Sequence, residues 1–334
     1  MKKTYYLFHP GRMERKDNTL KFTAYSEGGI MQKPRFLPVE NIDSLYVFGS
    51  LDANSALYNF LGKKDIAVHF FDYYENYTGS FMPKDYLLSG QMLVKQVSAY
   101  KNLKQRLAIA QSILDGASFN MMKNLKYYDN RGRDLSSVIQ VIEELSKQIR
   151  RSTAIDMLMG IEGNIRKNYY EAFELIINDF TMNGRSYRPP ENEVNALISF
   201  GNMMCYSECL RSINQTQLNP TISFLHQPGA RRYSLALDLA EIFKPILVDR
   251  VVFKVLNKRM IQEKHFDKKL NRILLSDNGK KIFIKAFEER MNETIKHRTL
   301  NKSVSYKHLI KLECYKLQKH LLNMEDYKPL KIWW

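Results

Sequence analysis

The chain has 334 residues, 44% of them apolar, enough to bury the cores of two ordinary domains. Its 51 Lys and Arg outweigh 35 Asp and Glu for a net charge of +16, which favours a polyanionic partner. No apolar run approaches the ~20 residues that span a bilayer, and the apolar stretch after Met1-Lys2-Lys3 is too short for a secretory signal, which argues against a membrane protein.

The N-terminal part reads as β. Thr4–Phe8, Leu20–Tyr25, Leu45–Phe48 and Ile66–Phe71 are short runs of Val, Ile, Tyr, Phe and Thr, and Pro10-Gly11, Gly28-Gly29 and Pro38 punctuate them. Ser55–Leu61 suits a short helix between strands. From about Asp85 the apolar period becomes 3.6. Helices are expected from Leu88 to Leu114, over Ser136–Phe180 with a break, over Val194–Ile213 and over Ser234–Val255, the last kinked at Pro245. Polar loops fall at Tyr127–Leu135 and Gly184–Glu193. The final stretch alternates Lys with apolar positions, as helices with a basic outer face would, and places His265, His297, His308 and His320 at the surface. The expected class is therefore α+β: a small β-domain over 1–84 and a larger all-α domain over 85–334. Cys205, Cys209 and Cys314 form no C-x-x-C pair and read as small buried apolar groups in a reducing compartment, which makes the cytoplasm the expected location.

Three residues stand out against this background. On a helix, Glu162 shares a face with Ile155, Leu158, Met159, Ile165 and Tyr169. A carboxylate in an apolar stripe must be paired, protonated or metal-bound. His226 sits in a Pro/Gly-rich turn before a helix that carries Asp238 and Glu241 one turn apart. Glu162, His226 and Glu241 together make an oxygen-rich donor set with one imidazole, which suits Mg²⁺ or Mn²⁺ better than structural zinc.

The segments Leu158-Met159-Gly160-Ile161-Glu162-Gly163 and Ser234-Leu235-Ala236-Leu237-Asp238-Leu239-Ala240-Glu241 resemble the CRISPR-associated adaptation integrases, the Cas-one family. Arg188-Pro189-Pro190 followed by Val194–Gly201, Phe224-Leu225-His226, Phe243-Lys244-Pro245 with Asp249-Arg250, and Glu325–Pro329 also match, in order. Val47-Phe48-Gly49 and Val68–Phe71 match more loosely. Ser223 and Ala240 depart from the Gly and Met of many members, and neither is a proposed ligand. The resemblance implies a β-domain that mediates homodimerisation, an all-α catalytic domain, and a complex with the small Cas-two protein that inserts prespacer DNA into the CRISPR repeat array. It also implies that Glu162, His226 and Glu241 are the metal ligands, with Asp238 an accessory catalytic acid of open role.

The reaction so implied is transesterification or hydrolysis at a phosphodiester. A metal can polarise the phosphoryl oxygens and activate the attacking hydroxyl, so no protein nucleophile is needed, and no G-x-S-x-G motif is present. Arg166, Arg231, Arg232, Arg250 and Lys254 are candidate DNA contacts near the site. Asn195 is a further candidate, with helix initiation as its alternative role. Two rival readings share the fold: a non-catalytic nucleic-acid scaffold, and a repair nuclease acting on branched DNA.

Overall fold

The structure is a computed structural model. It describes residues 2–26, 29–72, 74–83, 89–186, 189–230, 232–269, 272–297 and 300–333. The chain divides into two compact units, Met1–Tyr86 and Leu87–Trp334.

The first unit is built from two four-stranded sheets. One has the order β1 (Lys3–Leu7), β5 (Ile42–Val47), β7 (Ala67–Phe71), β8 (Tyr77–Phe81). Its first two pairings are parallel and its last antiparallel. The other has the order β4 (Arg35–Pro38), β3 (Thr19–Ala24), β2 (Gly11–Lys16), β6 (Leu51–Asp52). The parallel neighbours β5 and β7 need a crossover, and α1 (Ser55–Lys63) supplies it. The Asn54 side chain caps α1 by accepting the Leu57 N–H at 3.0 Å. Apolar side chains of both sheets and of α1, among them Met13, Leu20, Leu45, Leu57 and Val68, form one core. Gly49 is required by close approach. A Cβ there would lie 2.6 Å from the backbone of His9.

The second unit is mostly helical. Its helices are α2 (Gly90–Lys101), α3 (Leu103–Asp129), α4 (Ser136–Ile149), α5 (Ile155–Glu171), α6 (Phe173–Ile176), α7 (Glu193–Asn214), α8 (Ser234–Lys244), α9 (Arg250–Asn257), α10 (Asp277–Asn292) and α11 (Tyr306–Leu321). The expected continuous reading through Leu103 is interrupted because Asn102 caps a new helix, accepting the Gln105 N–H at 3.1 Å. The all-α expectation needs one correction. Two short hairpins interrupt the C-terminal helices: β9 (Phe266–Lys269) with β10 (Arg272–Leu275), and β11 (Thr294–Lys296) with β12 (Ser303–Ser305). Their strands are too short to show a period. His265 is also not a surface residue. It is 6% exposed, and its Nδ1 accepts the Gln262 N–H at 2.9 Å.

Helix α8 is the hub. It is buried along nearly its whole length and packs against α3 and α7. At Pro245 the missing N–H prevents an ordinary helical turn, and the chain widens into a π-helical turn over Pro245–Asp249 before α9. Two asparagines of α3 secure this junction. Asn120 Nδ2 donates to the Ile242 carbonyl at 2.9 Å and Asn124 Nδ2 to that of Pro245 at 2.7 Å. Asn120 Oδ1 also accepts the Ile332 N–H at 2.9 Å, which pins the C-terminal segment. In that segment Tyr327 donates its hydroxyl to the fully buried Glu313 at 2.8 Å.

Gly201 lets α7 approach the π-helical turn. A Cβ there would lie 2.5 Å from Val248 Cγ1 and 2.9 Å from Phe283 Cζ. Gly201→Ala should therefore destabilise the protein by about 1–3 kcal/mol, the usual cost of overpacking a filled core. Denaturant unfolding of the two proteins measures it. An unchanged midpoint would show that Val248 and Phe283 give way freely.

Candidate functional site

Helix α5 carries an acid and a base one turn apart, Glu162 and Arg166. Helix α8 carries Asp238, Glu241 and Lys244 at steps of three, on one face. The fold brings the two helices together through these side chains. The Arg166 guanidinium bridges Glu162 and Glu241: Nε pairs with Glu162 Oε1 and Nη2 with Glu241 Oε2. Lys244 Nζ pairs with Glu241 Oε1 at 2.7 Å. Arg166 Nη1 donates to the Tyr170 hydroxyl at 3.3 Å. Two carboxylates and two cations thus form one compensated cluster in which every side chain is less than a fifth exposed. Burial, and next the nearby Arg166 charge, push the Lys244 ammonium down to about 8. Burial alone would depress Arg166 too, but the phenol of Tyr170 and the carboxylate of Glu162 reverse the shift and hold it above its ordinary value.

His226 is held by a separate device. Asp238, fully buried, accepts four hydrogen bonds from one loop. Its Oδ2 accepts the backbone N–H groups of Phe224 at 2.6 Å and Leu225 at 3.0 Å. Its Oδ1 accepts the backbone N–H of His226 at 2.9 Å and the ring Nδ1–H at 2.8 Å. With Nδ1 donating, Nε2 is the lone-pair nitrogen, the arrangement that orients a metal-ligating histidine. The Ser223 hydroxyl closes the turn by donating to the His226 carbonyl at 2.6 Å. The serine that departs from the family pattern thus has a structural task.

A third layer lies behind α5. Asp249, in the π-helical turn, accepts the Tyr169 hydroxyl at 3.0 Å, and Asn124 donates to the same hydroxyl at 2.8 Å. Tyr169 and Tyr170 are both buried, in keeping with a core role. Burial pushes the Asp249 carboxyl up to about 7, against the lowering effects of the Tyr169 hydrogen bond and of Arg166, Lys244 and Arg185.

The expected site residues sort unevenly. Glu162 and Glu241 converge on one cation, and Asp238 positions His226. No three His, Cys, Asp or Glu side chains among the described residues draw together into a group that could hold a metal. The structure gives the expected DNA contacts differing surroundings. Arg166 is committed to the two glutamates. Asn195 has no exposed surface: its side chain donates to the Gly184 carbonyl at 2.9 Å and accepts from Arg185 at 3.0 Å, and its N–H is capped by Asn192 at 2.8 Å. It organises the loop before α7. Lys254 pairs with Glu289 at 2.9 Å. Arg250 lies over the Tyr127 ring at 4.1 Å, and Arg232 is exposed and donates to the Gln227 carbonyl. Arg231 lies outside the described residues. Sequence reasoning gave no role here to Lys244, Arg185 or the Asp249 carboxylate. The i+3 step from Glu241 marks Lys244 in retrospect. Arg185 stands in an aperiodic loop that carries no such signal.

A small β unit, followed by a helical unit whose packed helices hold two glutamates and an aspartate-oriented histidine, has the build of a phosphodiester-processing nuclease. The family model for CRISPR associated protein Cas1 matches residues 5–289, and the chain belongs to that family. The CRISPR-associated endonuclease Cas1 of Fusobacterium nucleatum subsp. nucleatum is 44% identical over all of this chain and 98% of its own. One of the Cas1 endonucleases of Thermodesulfovibrio yellowstonii is 45% identical over the full length of both. The solved Cas1 protein of Thermotoga maritima superposes with a TM-score of 0.86 at 38% identity, covering 97% of this chain and 99% of that one. A casposase bound to integration product shares the fold, with a TM-score of 0.84 at 20% identity over 99% of this chain and 93% of that one. No helix among the described residues is long and apolar enough to cross a membrane.

The buried Asp249 sets a pH dependence. The folded state holds its proton up to about pH 7, whereas the ordinary carboxyl value is 3.8. Asp249's contribution to stability is therefore full below the unfolded value, falls as pH rises between the two, and is gone above about 7. Asp249→Asn keeps an oxygen for the Tyr169 hydroxyl and removes the titration. Its stability relative to the parent protein should rise from pH 5 to pH 8, as read by thermal unfolding. A pH-independent difference would show that Asp249 folds with its ordinary ionisation.

Proposed function

We propose that this protein is a metal-dependent DNA nuclease and integrase that inserts prespacer DNA into a CRISPR repeat array. The observation that carries the reading is the convergence of Glu162 and Glu241 on one buried guanidinium, together with a histidine whose Nδ1 is committed to Asp238, on the same helix as Glu241. The donor chemistry fits a hard divalent cation such as Mg²⁺ or Mn²⁺: carboxylate oxygens and one imidazole nitrogen. Glu162, Glu241 and His226 Nε2 would hold it. When bound, such an ion polarises a phosphoryl oxygen and lowers the pKa of an attacking hydroxyl.

The chain's own groups do the rest. Asp238 fixes the imidazole orientation and its tautomer. Arg166 and Lys244 hold the glutamates in place and keep two buried like charges from repelling each other. The DNA 3′-hydroxyl is the nucleophile for joining, and water for cleavage. The net charge of +16 supplies salt-dependent attraction to the DNA backbone. Relatives and fold neighbours support the partners. One neighbour is a Cas1–DNA complex and another a complex that contains Cas2. Assembly as a homodimer through the β unit is supported by its exposed apolar side chains, Ile30, Met31 and Phe36.

Carboxylate-to-amide changes test the ligand set. Glu162→Gln and Glu241→Gln should abolish divalent-dependent cleavage and strand joining on a labelled duplex while DNA affinity is retained. Asp238→Asn should cost less, about 10–100-fold in Mn²⁺ affinity, because it acts through His226. Wild-type joining by Glu241→Gln, or a larger loss for Asp238→Asn, would overturn this assignment.

A further inference from the structure

On α3, the Asn120 and Asn124 side chains turn inward to α8 and the π-helical turn. Phe119, Lys123 and Lys126 belong to a different face, which α4 flanks. A cavity of about 720 Å³ opens there, and a second of about 360 Å³ adjoins it toward α9. Lys123 and Lys126 line both. Five cationic side chains line the larger cavity, Lys123, Lys126, Lys147, Arg150 and Arg151, against two acidic ones, Asp115 and Glu143, and Arg250 and Arg290 line the smaller.

Two of the lining cations, Lys123 and Arg250, lie against rings that also hold a neighbouring cation. Lys123 and Lys331 flank Phe119 at 5.7 and 5.2 Å, and Arg250 and Arg131 flank Tyr127 at 4.1 and 4.4 Å. Such contacts limit side-chain freedom, so binding an anion costs less entropy. The two acids are occupied. Glu143 pairs with Lys126 at 2.7 Å and Asp115 with Lys331 at 2.8 Å. Among the other lining cations, Lys147 pairs with Glu144 at 2.5 Å, Arg150 with Asp115 at 3.6 Å and Arg290 with Glu293, whereas Lys123 and Arg151 have no carboxylate partner among the described residues. The α3–α4 groove therefore presents a cluster of positive charges that its carboxylates only partly compensate, and none of Glu162, Arg166, Glu241 and Lys244 lines it.

We propose that this α3–α4 groove is a track for the phosphate backbone of DNA. The inference rests on the DNA-processing reading above and extends it to a surface that holds none of the proposed metal ligands. A protein partner fits less well. Protein interfaces centre on aromatic anchors buried by the partner, whereas here cations already flank the rings of Phe119 and Tyr127.

The test is the combined variant Lys123→Gln, Arg150→Gln, Arg151→Gln, compared with the charge-retaining variant Lys123→Arg, Arg150→Lys, Arg151→Lys. Affinity for a labelled duplex and for a single strand of the same sequence is measured across a salt series. The glutamine variant should unfold at the parental temperature and keep its Mn²⁺ affinity. Its slope of log affinity against log salt should fall by about 2–3, roughly one for each phosphate that is no longer neutralised. The charge-retaining variant should keep the parental slope. A fall confined to one DNA form identifies that form as the occupant. Salt-dependent DNA binding by the parent, with an unchanged slope in the glutamine variant, overturns the groove alone. A parent protein that binds no DNA overturns the proposed function itself. Loss of affinity for an acidic protein with DNA affinity unchanged would also overturn the proposal.

Discussion

The site depends on a single guanidinium. Glu162 and Glu241 stand on different helices, and two buried carboxylates side by side would repel each other strongly at the low effective dielectric of the interior. Arg166 resolves this by bridging them, and Lys244 completes the balance from the other side of Glu241. The ion pairs therefore tie α5 to α8, both of which pack against α3. Removing one partner of such a pair leaves an uncompensated buried charge, which typically costs about 3–5 kcal/mol.

That cluster is possible because the surrounding helices are fixed by polar groups as well as by packing. Asn120 and Asn124 hold the widened turn after α8, and Gly201 allows α7 to close on it. Pro245 is the origin of the widening. A regular helix through this position would carry Asp249 and α9 round by a different angle, and the 3.0 Å hydrogen bond from Tyr169 to Asp249 could not form.

Much of this was legible in the sequence, for physical reasons. Glu162 interrupts an apolar helical stripe, so it signals a requirement for a partner. That the partner is Arg166 was hidden, because an arginine one turn away on a helix reads equally well as a DNA contact. Burial distinguishes the two, and burial depends on tertiary packing. Asn195 was open between a site group and a helix-start residue, and its contacts at the start of α7, which the sequence does not show, satisfy backbone groups inside the fold. The strands with strong alternation or continuous apolar character, such as Ala67–Phe71, were readable. Gly11–Lys16 was not, since four of its six residues are charged and only Gly11 and Met13 mark its buried face. The hairpin strands of three and four residues are too short to carry a period at all.

Asp238 and Glu241 show why two acids on one helix face have different tasks. They are three residues apart, so their backbones present them in nearly the same direction. The difference is one methylene. The shorter aspartate ends close to its own helix, where the 224–226 loop folds over it and fills its acceptor positions with three backbone N–H groups and one imidazole. The longer glutamate reaches past that loop to α5 and meets the side chain of Arg166. A carboxylate with four neighbours in one rigid loop acts as a fixed support. A carboxylate paired with two side-chain cations keeps partners that can move, because rotamer changes in Arg and Lys need no backbone rearrangement. Side-chain length therefore divides the labour: the aspartate orients, and the glutamate remains free to exchange its partners.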